Sequence, residues 1–191
     1  ELQVVEPRKS IMSSKSFGQL QTQYEAVAAA LSSHCARAVE KLREQGGIVR
    51  TLSVFVQTNR HRQDLPQHTQ SKIVHLGQAT DDIRIITAAA KNALKQIFRP
   101  GYFYQKTGIC FAEVENKEER QLDLFLSFNE QEMQKTEQLM QILGKVNQRF
   151  GRHTLHLAAE GFNKPWDARL EMRSPCYTTQ WSQLPRIIND T

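Results

Sequence analysis

Residues 48–58 read Ile48-Val49-Arg50-Thr51-Leu52-Ser53-Val54-Phe55-Val56-Gln57-Thr58, and within them Leu52, Val54 and Val56 alternate with Ser53, Phe55 and Gln57. A period of two in a run rich in β-branched and aromatic residues predicts a strand with one covered face. Such a strand needs neighbours and a layer over its apolar side, so the flanking segments decide the fold. Upstream, Tyr24, Val27, Ala28, Leu31, Cys35, Ala38, Val39 and Leu42 recur at steps of three and four before Gly46 and Gly47, which predicts a helix with one buried face. Ahead of it, residues 11–17 form a serine-rich extended segment ending at Gly18. Downstream, a polar loop over residues 59–70 leads to a strand at 72–76. Thr80 or Asp81 can cap a second helix carrying Ile83, Ile86, Ala90, Ala93, Leu94 and Ile97, which Pro100 and Gly101 end; residues 102–114 read as the last strand.

The order strand, helix, strand, strand, helix, strand predicts an α+β fold, a four-stranded sheet with two helices on one face. The other face is then free to meet a ligand. Ser13, Ser14, Lys15, Ser16, Lys106 and Thr107 put hydroxyls and ammonium groups in the strands, a composition that suits phosphate contacts. A merely solvated sheet face fits the same residues. Residues 1–110 hold 15 Lys and Arg against 8 Asp and Glu, while the remainder holds 10 against 12, so the first part is the one suited to polyanions.

Beyond residue 114 the character changes. A charged run over 113–120 precedes Gln121, Leu122, Asp123, Leu124 and Phe125, which are apolar where a linker should be polar. Asn129 with Glu132 resembles a capping box, and Leu139, Met140, Leu143, Val146 and Phe150 mark the buried side of a helix closed by Gly151. Residues 153–158 alternate as a short strand would, giving a small α+β C-terminal region. Gly161, Pro165, Pro175 and Pro185 then punctuate a tail that Trp166, Tyr177 and Trp181 are expected to pin down. The expected organisation is a sheet domain over 1–114, a linker over 115–128 and a C-terminal region over 129–191.

Cys35, Cys110 and Cys176 are odd in number and widely spaced, which fits reduced, partly buried thiols in a cytosolic protein. His153 and His156 have no third ligand near them in sequence. Asp81-Asp82 could hold magnesium, but their place at a helix start favours capping. No phosphate-binding glycine loop or nucleophile elbow is present, so no catalytic residue is assigned. No apolar run approaches the roughly 18 residues of a membrane span, so no membrane contact is expected. Glu1 rather than Met opens the sequence, and the chain is expected to be a piece of something longer.

With these elements in place, the chain resembles the C-terminal part of the catalytic subunit of the SOS-induced, error-prone DNA polymerase V, a Y-family translesion polymerase. Residues 9–18 (Lys9-Ser10-Ile11-Met12-Ser13-Ser14-Lys15-Ser16-Phe17-Gly18) are similar to the first strand of the little-finger domain in these subunits, and residues 88–93 fall where its second helix lies. Gln121, Leu122, Leu124 and Phe125 resemble the motif by which bacterial proteins bind the sliding clamp, with Gln at the groove rim and Leu and Phe in an apolar pocket. A short buried strand is the other reading of those residues. Residues 137–141 and 173–181 resemble two signatures of an extra C-terminal region.

The resemblance implies a little finger that lies along primer-template DNA, with Ser13, Ser14, Lys15, Ser16, Lys106 and Thr107 at the phosphates. It implies a clamp-docking linker, and a C-terminal region associated, through residues such as Tyr177 and Trp181, with the activated mutagenesis-protein dimer and the RecA filament. It implies a bacterial, cytoplasmic, nucleoid-associated setting. The palm domain with its Mg²⁺ ions would precede Glu1, so this part is expected to hold no cofactor and to be inactive alone. The alternative is an RRM-like module binding single-stranded RNA, which has the same element order; neither 71–76 nor 102–114 carries an RNP1 pattern.

Overall fold

Leu52, Val54 and Val56 are fully buried while Ser53, Phe55 and Gln57 are partly open, so the alternation in β2 (Gly47–Thr58) is realised as one covered and one open face. The computed structural model describes residues 9–119, 130–151, 153–162, 164, 166–167, 174–177 and 179–184. Before β2 come β1 (Ile11–Gln21) and α1 (Tyr24–Glu44); after it come β3 (Thr69–Thr80), α2 (Ile83–Ile97), β4 (Tyr104–Asn116) and α3 (Glu130–Phe150). The four strands form one antiparallel sheet in the order β1-β4-β2-β3. Ile11, Ile109, Phe111, Leu52 and Val54 from the sheet share a core with Val27, Leu31 and Leu42 of α1 and Ile86, Ala90 and Leu94 of α2. The expected α+β architecture, with two helices on one face of a four-stranded sheet, is the one observed.

Local chemistry accounts for the element ends. Helix α1 stops where Gly46 takes φ +67, a left-handed conformation that costs glycine little, and its amide bonds Arg43 O at 3.0 Å. Helix α2 is capped by Asp82, not by Thr80 or Asp81: the Asp82 carboxylate accepts from Arg84 N at 2.8 Å. Asp81 instead joins an ion-pair network with Arg43, Lys117 and Glu137, in which Lys117 Nζ stands 3.0 Å from Asp81 and Arg43 3.4 Å from Glu137. That network ties α1, the approach to α2, the turn after β4 and α3 together.

Several expectations change. Helix α1 buries Ser32, Ser33 and His34 as well as its apolar stripe; the chain after α3 returns across it, with the buried Glu160 at Ser33 and the buried Trp166 at His34. Residues 153–158 form no strand. The Asn147 side chain donates to Leu155 O and accepts from Leu155 N, both at 2.8 Å, so a side chain uses the backbone groups that a strand partner would need. Of the five residues expected on the buried side of α3, Met140 is buried, Leu143 and Val146 are half-buried, and Leu139 and Phe150 are exposed. A cleft of about 530 Å³ separates this side of α3 from α1. Trp166 anchors the tail, whereas Tyr177 and Trp181 are exposed. Asn129 lies outside the described residues.

Candidate nucleic-acid interface

Residues paired directly across a sheet project to the same face, so the register defines the open surface. Three rows cross it: Met12, Cys110, Ser53 and Ile73; then Ser14, Gly108, Phe55 and Ser71; then Ser16, Lys106, Gln57 and Thr69. In the middle row Gly108 lies under its neighbours, with the Phe55 ring and Ser14 Cβ occupying the space where a side chain would stand. The result is a surface with exposed Met12 and Ile73 at one end, small hydroxyls and one phenyl ring across the middle, and Gln57 and Lys106 at the other end. Strands β2, β3 and β4 meet the 59–68 loop and the turn after α2 at that same end, which brings Arg60, His61, Arg62 and Arg99 into its neighbourhood.

The six residues expected at phosphates divide between the faces. Ser14, Ser16 and Lys106 lie on the open face. Ser13 and Thr107 project under the helices: Ser13 Oγ sits 3.3 Å from His34 Nδ1, and the fully buried Thr107 hydroxyl donates to Phe55 O at 2.8 Å. Lys15 also starts from the covered face, but β1 is an edge strand and its Nζ reaches Asp167 at 2.6 Å. Period-two alternation with Ile11, Phe17, Ile109 and Phe111 already separates these two sets in the sequence; that signal finds Phe55 and Gly108 as well.

The charge surplus of the first 110 residues is not concentrated on the open face. Arg43 serves the ion-pair network, Arg84 grips Asp82, Arg62 is paired with Asp64 and Lys72 bonds Gln96. Among the open-face residues in the three rows, Lys106 is the one carrying a fixed positive charge.

Gln121, Leu122, Leu124 and Phe125, the expected clamp peptide, lie outside the described residues. Tyr177 and Trp181 present 48% and 89% of their surfaces to solvent, so both are open to a partner. Burial pushes the Cys35 thiol up to about 12 and so makes it a packing group; all three cysteines are free thiols. Burial, helped by Arg37 and Lys15, lowers His34 to about 4, so it is neutral at pH 7. Among the described residues no group of three His, Cys, Asp or Glu could hold a metal ion, and no helix is long and apolar enough to cross a membrane.

Residues 8–124, which take in all four strands, match the impB/mucB/samB family C-terminal domain. The chain belongs to the impB/mucB/samB family. A second match, over residues 137–187, is to a domain of unknown function, DUF4113. Protein UmuC of Salmonella typhimurium is 36% identical over 188 residues, covering 98% of this chain and 44% of that protein. Protein SamB of the same organism is 35% identical over 179 residues, covering 94% of this chain and 42% of that protein. The chain thus spans less than half the length of these impB/mucB/samB relatives, and the kinship expected from residues 9–18 and 173–181 holds. Among solved structures, DinB from Sulfolobus solfataricus superposes with a TM-score of 0.45 at 12% identity, over 59% of this chain and 32% of that one.

Proposed function

We propose that this chain is the DNA-binding and partner-docking portion of an error-prone Y-family translesion polymerase acting in SOS mutagenesis and damage tolerance in the bacterial cytoplasm. The match of residues 8–124 to the impB/mucB/samB family carries this reading, because it coincides with a sheet whose unpacked face presents Ser14, Ser16 and Lys106. In this reading the face lies along the backbone of primer-template DNA, with hydroxyls and strand amides at phosphates and Lys106 supplying charge. The side chains of Ser13 and Thr107 act as supports beneath it. Nucleotidyl transfer with Mg²⁺ belongs to the palm domain of the parent polymerase, not to these residues.

Gln121, Leu122, Leu124 and Phe125 dock the sliding clamp, and the region from 129 onward, with Tyr177 and Trp181, meets the activated mutagenesis-protein dimer and the RecA filament. The RRM-like alternative is weakened by the open face: an RRM stacks two or three bases on aromatic rings, and here Phe55 is the one phenyl or indole ring in the three rows. The decisive experiment is a titration of the chain with primer-template duplex, with unrelated duplex and with single-stranded RNA. Similar affinity for both duplexes is expected. If about four phosphates are neutralised, affinity falls by roughly two decades between 50 and 200 mM salt. Preference for RNA, or binding indifferent to salt, overturns the reading.

A further inference from the structure

Residues 166 and 167 of the C-terminal tail lie at the outer edge of the strand that the proposed DNA interface is built on. Among the described residues β1 pairs with β4 alone, so its other edge is the outer edge of the sheet. Trp166, 2% exposed, packs into the core at this edge and accepts a backbone hydrogen bond from Gly18 N at 3.0 Å. Next to it, Asp167 takes Lys15 Nζ at 2.6 Å, across 152 positions of sequence. Tail and strand are thus joined by a buried indole, a main-chain bond and an ion pair.

We propose that Asp167 is an internal phosphate mimic: the tail holds Lys15 in an ion pair that a DNA phosphate must displace, so the docked tail restrains DNA binding. This rests on the proposed DNA-binding reading of the sheet and extends it to Lys15, whose half-exposed side chain leaves the covered face at the β1 edge. A carboxylate and a phosphate oxygen offer the same acceptor to an ammonium group, and Lys15 cannot serve both fully. The side chains of Lys15 and Asp167 are 37% and 42% exposed, so water and salt weaken their pair and a polyanion can compete. Exposed pairs of this kind limit affinities by up to about fivefold. The coupling is reciprocal, so DNA on β1 also weakens the tail's hold on that edge.

The test compares the parent, Asp167→Asn, Glu115→Gln and Lys15→Gln/Asp167→Asn with Lys15→Gln, by anisotropy with labelled primer-template duplex over a range of salt. Glu115→Gln removes one negative charge from the exposed far end of β4 and so measures the general effect of net charge. Asp167→Asn is expected to bind up to about fivefold more tightly at low salt, with a log-log salt slope steeper by about 0.9. In the Lys15→Gln background the gain should vanish. An Asp167→Asn no tighter than Glu115→Gln, or a gain that survives loss of Lys15, overturns the inference while leaving the DNA reading in place. A parent that binds no duplex removes both.

Discussion

The ring of Phe55 lies so close over Gly108 that a Cβ added at 108 would stand 2.8 Å from two of its carbons, and 2.4 Å from Ser14 Cβ. The ring could yield, but Ser14 Cβ is fixed to the backbone of the neighbouring strand. Gly108→Ala is therefore expected to destabilise the fold by about 1–3 kcal/mol, the usual cost of overpacking. The midpoint of urea unfolding checks this; a midpoint equal to that of the parent contradicts the close packing of the middle row.

Lys106 is the fixed charge of the open face. Lys106→Ala should weaken duplex binding by roughly fivefold to tenfold near 100 mM salt and reduce the salt slope by about 0.9, to the same extent on unrelated sequences. An effect confined to one sequence would mean base recognition instead of phosphate contact.

The linker proposal is tested by Leu124→Ala/Phe125→Ala. Two apolar anchors, each worth about 1.5–3 kcal/mol when fully buried, are enough to abolish measurable clamp binding by a weak peptide. Duplex binding should be unchanged, because the tether acts by raising effective concentration at the primer end, not by gripping DNA. Retained clamp binding, or loss of folding shown by circular dichroism, would assign the stretch to a buried strand.

His34 gives the fold a pH dependence of definite sign. Its value falls from about 6.5 in the unfolded chain to about 4 in the fold, chiefly through burial. Above pH 6.5 both states are neutral there and the contribution is fully present. As pH falls toward 4 the unfolded chain takes up a proton that the fold refuses, and roughly 3 kcal/mol is lost. His153 is also lowered by burial and acts in the same direction, so the measurement is the difference between the parent and His34→Gln. Unfolding free energies at pH 7 and pH 4.5 should diverge less in the variant; an equal loss in both would show that His34 is not the group responsible.

The repeating patterns determined the covered face of β2, the stripes of α1 and α2, and therefore the α+β layering, since periodicity is a property of neighbours in sequence. The same alternation separates Ser14, Ser16 and Lys106 from Ser13, Lys15 and Thr107; applying phosphate chemistry to all six passed over a signal already present. Strand order, by contrast, depends on which edges meet after the chain has closed, and nothing local distinguishes β1 as an edge. Asn147 takes the backbone groups of Leu155 and thereby overrides a strand-like pattern, while Glu160 packs on Ser33 and Trp166 on His34, both buried polar residues of α1. The pairing of Lys15 with Asp167 and the joining of Arg43, Asp81, Lys117 and Glu137 were likewise decided only by tertiary structure. Such contacts span tens of residues or more, so the entropy of closing the intervening chain is offset by the core as a whole and leaves no mark on the residues beside them in sequence.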